Sequence, residues 1–215
     1  ARKVPYSITN NETRHGKTIV HYNGKEYPME VFGDHNLKNM QGAMLICKEI
    51  GLAPEDFFRA MSEFKGASNR LEKIGENKTT KVFKDFAHSP SKVKATAEAV
   101  KNQFPNQPLV GVLELHTYSS LNKEFLNQYR GTMEAVDTPV VFFNKHALEL
   151  KQLPMLEKRH IYESFNNENI EVFNDREKLE NFLKSISWEN KNLLLMSSGN
   201  FDGMDKQKLC DEILS

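Results

Sequence analysis

The sequence predicts an α/β protein: a mostly parallel sheet covered by helices on both faces, preceded by a β-hairpin and two helices. Three observations carry this expectation. From about residue 79 onward, near-continuous runs of Val, Leu, Ile and Phe alternate with helix-length segments, as strands buried on both faces do. Before that point, two β-rich runs flank Asn23-Gly24, a pair that tolerates the positive φ angles of a tight hairpin turn. Between these regions lie two segments with apolar residues at helical spacing, each followed by a glycine.

Taken in order, "KTIVHYNGKEYPMEV" predicts an antiparallel pair over residues 17–32. In "NLKNMQGAMLICKEIGL", Met40, Ala43, Met44, Cys47 and Ile50 form one helical face and Gly51 supplies the stop. "APEDFFRAMSEFKG" repeats the pattern: Pro54 and Glu55 sit in a first turn, Phe57, Met61 and Phe64 on one stripe, and Gly66 past the end. The polar stretch "NRLEKIGENKTTK" is turn-rich and places a domain boundary at residues 70–78. Strands are then expected in "KVFKDF", "PLVGVLEL", "TPVVFFN", "IEVF" and "NLLLMSS". Helices are expected in "SPSKVKATAEAVKNQF", "NKEFLNQYRGTMEA", "DREKLENFLKSIS" and "DKQKLCDEIL", while 147–165 is Leu-rich without a clear pattern.

Composition excludes several functions. Lys plus Arg and Asp plus Glu each total 29, a formal net charge of zero with no long run of one sign, so a nucleic-acid partner has no electrostatic footprint. No apolar run approaches a membrane span, and "ARKVPYSITN" lacks the apolar core of a signal peptide, so the expectation is a cytoplasmic protein with no membrane partner. Cys47 and Cys210 are too few and too far apart for a disulfide framework or a zinc site, and both are expected to be buried thiols. The chain opens on Ala1 in polar sequence, and a fragment of a longer protein is expected.

In an open α/β sheet, ligands gather beyond the carboxyl ends of the strands. Asp85 and His88 end the first such strand, "ELHTYSSLN" the second, "NKH" the third and "SSGNFDG" the last. An acid such as Asp85 suits two ribose hydroxyls, though a helix cap or a surface acid fits equally well. "SSGNFDG" has the small residues that leave backbone N–H groups open to an anion. In "GDHNLKN", Asn36 either caps a helix or offers adenine the donor and acceptor of an amide. Arg70 reads as one half of an exposed pair with Glu72 or as a phosphate clamp. No G-x-S-x-G elbow surrounds Ser119 or Ser120, and no Walker-type or G-x-G-x-x-G phosphate loop is present.

The order of three segments then resembles the C-terminal half of the Mur ligase family, over nearly the whole chain. "GDHNLKN" matches G-x-H-N-x-x-N, "FKGASNRLE" matches F-x-G-x-x-x-R-x-E, and "DFAHSP" matches D-[YF]-[AG]-H-x-P. The resemblance implies that residues 1–72 end a central ATP-binding domain and that 73–215 form a Rossmann-like C-terminal domain. It implies ATP and magnesium as cofactors, with the phosphate loop and the metal ligands upstream and no metal ligand in this chain. His35, Asn36 and Asn39 would hold the adenine region, Arg70 the ribose or phosphates, Asp85 the ribose hydroxyls, and His88 would be catalytic, facing the amine or acyl phosphate.

The family joins UDP-N-acetylmuramate or its peptides to an incoming amine through an acyl phosphate. The L-alanine-adding branch carries H-R-Y-[ST]-R where this chain has "HTYSS", so Thr117 and Ser120 replace two arginines. Losing that clamp, with "LLLMSSGNFDG" near the end, makes the chain more similar to the murein-recycling branch, whose amine belongs to the tripeptide L-Ala-γ-D-Glu-meso-diaminopimelate. His116, Tyr118, Ser197, Ser198 and Asn200, at strand ends, are the expected acceptor contacts. Alternatives are L-alanine as acceptor, or a non-catalytic nucleotide-binding module. The 215-residue chain alone is expected to be inactive.

Overall fold

Hydrophobic alternation and turn chemistry give two sheets. The structure, a computed structural model, describes residues 3–215 and divides into two compact units. One comprises residues up to Gly66 together with Asn102–Phe104, and the other Ala67–Lys101 and Pro105–Ser215.

In the first unit, β2 (Lys17–Tyr22) and β3 (Lys25–Met29) pair antiparallel around Asn23 and Gly24, whose φ angles are 51° and 73°. That is the expected hairpin. A further strand, β1 (Asn11–Arg14), pairs with the other side of β2, and its polar sequence gave no apolar signal. Pro28 falls on β3, an edge strand, where a missing N–H is tolerated. Helices α1 (Asp34–Glu49) and α2 (Pro54–Met61) follow. Leu37, Met40 and Met44 from α1 and Phe57 and Phe58 from α2 join Val20, Tyr27 and Met29 in one core. Phe58 packs against Tyr22, Tyr27 and Phe57, with ring centroids 5.1, 5.6 and 5.5 Å away. The expected stripe of α2 is shorter than its sequence suggested: the helix stops before Phe64, which is 44% exposed.

The second unit holds a six-stranded sheet. Its strands are β4 (Glu72–Glu76), β5 (Lys81–Asp85), β6 (Leu109–Leu115), β7 (Thr138–Phe143), β8 (Glu171–Phe173) and β9 (Asn192–Met196). Their spatial order is β4-β5-β9-β6-β7-β8, parallel throughout except for β4, which runs antiparallel to β5. The fold is therefore the expected mostly parallel α/β sheet, with one antiparallel edge strand in a stretch that read as a turn-rich linker. Every residue of β6 and of β9 is buried.

Helices α3 (Pro90–Gln103), α4 (Lys123–Leu126), α5 (Lys145–Leu150), α6 (Lys158–Phe165), α7 (Arg176–Ser185) and α8 (Lys206–Leu214) connect or follow the strands. Leu179 and Leu183 of α7 and Leu209, Cys210 and Ile213 of α8 pack with Val82, Val110, Val112, Val140, Phe142, Leu193 and Leu195 on one sheet face. The alternate residues Phe83, Leu113, Val141, Phe143 and Leu194 are buried on the opposite face. The segment 122–135, expected as one helix, is α4 followed by a 3-10 turn over Asn127–Tyr129, and Gly131, with φ 73°, ends it. The patternless 147–165 contains the end of α5 and all of α6. Cys210 is buried as expected, and burial pushes its thiol up to about 11, whereas Cys47 is half-buried.

Strand β4 lies close to α8. A Cβ on Gly75 would meet Cys210 Sγ well inside van der Waals contact and Leu214 Cδ1 at 2.8 Å. Gly75→Ala is expected to lower stability by about 1–3 kcal/mol through overpacking, and Cys210→Ala in the same chain should recover part of that loss. Urea unfolding of the two single variants and the double variant measures this; strict additivity would contradict the close approach.

Candidate functional site

The carboxyl ends of β5, β9 and β6 lie side by side, so the turns after Asp85, Met196 and Leu115 form one rim. Asp85 is the last residue of β5 and half-buried. Its Oδ2 accepts the Leu71 N–H at 2.5 Å, its Oδ1 accepts the Ala87 N–H at 2.6 Å, and Thr96 Oγ1 lies 3.5 Å from Oδ1. The loop before β4 is thereby fastened to the end of β5. Phe86 N–H donates to the Asn69 carbonyl at 2.9 Å, a second fastening beside the first. Asn69 and Leu71 both adopt left-handed backbone, with φ 55° and 48°. For leucine that conformation costs roughly 1–2 kcal/mol, which the carboxylate bond to its N–H offsets.

This fastening brings three of the predicted site residues together. The Arg70 guanidinium carbon lies 6.0 Å from the centroid of the Phe86 ring, and His88 meets the same ring edge-on at 5.2 Å. His88 Nδ1 is 2.9 Å from the Phe86 carbonyl. Glu72 does not pair with Arg70: its Oε2 accepts the Asn69 N–H at 2.7 Å and lies 3.3 Å from Lys84 Nζ. Burial works to raise the Glu72 pKa, but the Asn69 N–H and Lys84 outweigh it and hold the group below its usual value. Arg70 is therefore left exposed, facing outward beside Asp85 and His88.

A second anchor lies under the turns of β6 and β9. Glu114 is 2% exposed, and its Oε2 accepts the Ser197 hydroxyl and, at 2.9 Å, the Phe201 N–H. Its Oε1 is 3.7 Å from His116 Nδ1. Ser197 Oγ in turn accepts the Gly199 N–H at 2.7 Å. Gly199 is packed so tightly that a Cβ would lie 2.6 Å from His116 Cγ and 2.9 Å from Glu114 Oε2. Lys206, half-buried at the start of α8, lies 5.7 Å from the Phe201 ring centroid. Burial lowers its pKa, a tendency the Glu114 charge opposes and Lys84 reinforces.

The predicted acceptor residues divide accordingly. Ser197 is buried and its hydroxyl is committed to Glu114 and Gly199, so it holds the turn together. Asn200 accepts the Gly203 N–H at 3.1 Å within the same turn. Ser198 Oγ is a buried hydroxyl without a hydrogen-bond partner. His116 is half-buried, and Tyr118 is 60% exposed. Thr117 and Ser120 bond each other, and Ser120 is buried, so neither hydroxyl extends outward as the arginines it stands for would. Sequence reading passed over Glu114, although a lone acid in the apolar run "LVGVLEL" was a visible signal.

Tyr129 was also passed over. Its phenol donates to the His88 carbonyl at 2.5 Å, and its ring stacks on Phe165 with centroids 5.3 Å apart and planes 10° from parallel. Burial, partly countered by the nearby Ser120 hydroxyl, pushes the phenol from 10.0 up to about 12.

In the first unit, His35, Asn36 and Asn39 occupy the first turns of α1, the first two half-buried and Asn39 exposed. Asn36 is not the cap: the helix begins at Asp34 after Gly33, and the Asn36 amide nitrogen donates to the Phe32 carbonyl at 2.9 Å. Glu12, His21 and Glu26 offer ligand atoms within 4.8 Å of one another, but Arg14 lies among them, bonded to both glutamates, and supplies the positive charge. No helix of the described residues is long and apolar enough to cross a membrane.

A family model described as Mur ligase, glutamate ligase domain, matches residues 69–199, more than half of the chain, and the chain belongs to that family. It is 31% identical over 116 residues to the UDP-N-acetylmuramate–L-alanine ligase of Desulfitobacterium hafniense, covering 54% of this chain and 26% of that protein. The solved structure of the UDP-N-acetylmuramate–alanine ligase of Thermotoga maritima superposes with a TM-score of 0.68 at 17% identity, covering 96% of this chain and 44% of that one. A murein peptide ligase of Psychrobacter arcticus gives 0.59 at 20% identity, covering 92% and 42%. At such identities the two structures share the fold. The chain spans less than half the length of each.

Two measurements test this geometry. Asp85→Ala removes the acceptor of the Leu71 and Ala87 N–H groups, so stability should fall by about 1–3 kcal/mol and the Leu71 amide should exchange faster with solvent. An unchanged Leu71 exchange rate would mean that the loop is held by other bonds. The phenol of Tyr129, raised from 10.0 to about 12, binds its proton more tightly in the folded chain. Its contribution to stability is intact below about pH 10 and is lost as pH rises toward about 12. Urea unfolding across that window should show a steeper decline for the parent chain than for Tyr129→Phe; equal slopes would contradict the raised phenol.

Proposed function

We propose that this chain is the C-terminal part of an ATP-dependent ligase that forms an amide bond to UDP-N-acetylmuramate in peptidoglycan recycling. The observation that carries the reading is the convergence of Arg70, Asp85 and His88 on one strand end, with Phe86 between the guanidinium and the imidazole. The Asp85 carboxylate, held by the Leu71 and Ala87 N–H groups with Thr96 Oγ1 at 3.5 Å, receives the ribose hydroxyls at the carboxyl end of β5. It both fastens the loop and receives the sugar. Arg70 binds phosphate oxygens through its planar fork, and His35, Asn36 and Asn39 serve the adenine.

ATP and magnesium, held by a phosphate loop and metal ligands in sequence outside this chain, would supply activation of the muramate carboxylate as an acyl phosphate. His88 faces the incoming amine. Its backbone is held by Tyr129 and its ring by Phe86, which restricts its approach to the reacting carbonyl. The acceptor lies along His116, Tyr118 and Ser198, while Ser197 and Asn200 shape the turn beneath it. The ligase acts in the cytoplasm, where its nucleotide-linked substrate is made.

The proposed acceptor is the tripeptide L-Ala-γ-D-Glu-meso-diaminopimelate. Thr117 and Ser120 stand where the L-alanine-adding branch carries arginines, and their hydroxyls are turned into their own loop, which favours an acceptor whose carboxylate lies further off. A second reading, L-alanine as acceptor, is supported by the named activity of the Desulfitobacterium hafniense relative. A non-catalytic nucleotide-binding module remains as the alternative outside the enzymes.

The longer ligase carrying this chain, supplied with UDP-N-acetylmuramate, ATP and magnesium, should consume tripeptide in preference to L-alanine. Amide formation measured with both acceptors in parallel decides the matter. Preference for L-alanine would overturn the acceptor assignment, and no turnover with either would favour the binding module.

A further inference from the structure

Two of the residues proposed to line the acceptor leave neighbouring strands. His116 follows β6, Ser198 follows β9, and the parallel register pairs Leu113 with Met196, which sets Glu114 level with Ser197. Glu114 is 2% exposed, on the sheet face that Val110 and Val112 turn toward α7 and α8. Three groups converge on its carboxylate. Oε2 accepts the Ser197 hydroxyl and, at 2.9 Å, the Phe201 N–H, while Oε1 lies 3.7 Å from His116 Nδ1.

The turn after β9 needs such a fastening. Phe201, Asp202 and Gly203 are successive left-handed residues, with φ 53°, 57° and 77°, a conformation that residues other than glycine seldom adopt. The bond to Glu114 holds the first of them, Asn200 Oδ1 accepts the Gly203 N–H at 3.1 Å, and the Phe201 ring is buried. The start of the turn is fixed as well. Ser197 N–H donates to the Asp85 carbonyl at 3.0 Å, and Ser197 Oγ accepts the Gly199 N–H at 2.7 Å. Gly199 then backs onto His116. Its φ lies outside the left-handed region, so space alone requires glycine there: an added Cβ would stand 2.6 Å from His116 Cγ and 2.7 Å from Nδ1.

We propose that Glu114 is a positioning residue for the acceptor, one buried carboxylate that fixes the Ser197–Phe201 turn and seats the His116 ring against Gly199. His116 and Ser198 are thereby held at one spacing from opposite sides of the acceptor. The proposal rests on the ligase reading for its consequence on the acceptor, and on the contacts themselves for its structural content. Removing the carboxylate leaves a buried hydroxyl and a buried N–H without their acceptor, and the turn must shift to satisfy them. Glu114→Gln keeps the shape and one carbonyl oxygen for those donors.

The test has two arms. In the 215-residue chain, Glu114→Ala should speed amide hydrogen exchange at Phe201 by about tenfold or more, with the amides of β7 unchanged, and Glu114→Gln should restore most of the protection. Unchanged exchange at Phe201 would overturn the proposal. In the longer ligase, Glu114→Ala should raise the KM for the acceptor amine about tenfold with the KM for ATP unchanged, and Glu114→Gln should recover most of that loss. Gly199→Ala, which keeps the carboxylate and displaces His116, should raise the acceptor KM in the same way and carries the test should Glu114→Ala not fold. A loss of kcat with both KM values intact is what destabilisation alone would give, and it would overturn the positioning role. Absence of turnover in the unsubstituted ligase would count against the proposed reaction, while exchange at Phe201 still decides whether Glu114 holds the turn.

Discussion

Two backbone N–H groups converging on the carboxylate of Asp85 determine how the rim of the second unit is built. One comes from the turn that follows the strand and the other from a loop 14 residues earlier in the chain. Without that acceptor, the left-handed Leu71 would have no compensation, and the segment carrying Arg70 would keep only the Phe86 N–H bond to the Asn69 carbonyl as a fastening of this kind. The arrangement has a functional economy. The same bonds that hold this carboxylate also bring the Arg70 guanidinium to the Phe86 ring, next to the end of β5.

Elsewhere on the rim the same solution recurs with different residues. Glu114 sits where an aliphatic residue would continue the strand, and it is tolerated because it satisfies a hydroxyl and a backbone N–H at once. Its neighbour Gly199 leaves no room for a side chain, so the turn closes against His116. Tyr129 adds a third polar anchor, itself buried. Each anchor is rooted in a strand or a packed turn, with the half-buried His88 and His116 and the exposed Tyr118 and Arg70 displayed beyond it. A site built on strand ends in this way keeps its geometry because the backbone is fixed on the core side.

Much of the parallel sheet was legible because its strands are long apolar runs, "LVGVLEL" and "NLLLM" above all, with helices between them. The hairpin was legible through Asn23-Gly24. The strands that escaped notice, β1 and β4, are polar edge strands whose sequences "NETR" and "EKIGE" carry neither alternation nor an apolar run. They are defined by pairing with β2 and β5, which a linear reading does not contain. In the candidate site, Asp85 and His88 stood out through their strand-end positions, and Arg70 through its place at a domain junction and the motif order. The outward role expected of Ser197 is removed by its bond to Glu114, a residue 83 positions away that only the folded sheet brings beside it. Tyr129 had no motif to mark it.

The central claim is that Asp85 receives a nucleotide while holding the Leu71 loop. A crystal structure of the longer ligase with ADP tests it most directly. A ribose hydroxyl within about 3.2 Å of an Asp85 carboxylate oxygen, with the Leu71 N–H bond retained, is the result the account predicts. An ADP ribose held by other residues, with Asp85 bonded only within the protein, would contradict it and leave Asp85 as a purely structural anchor.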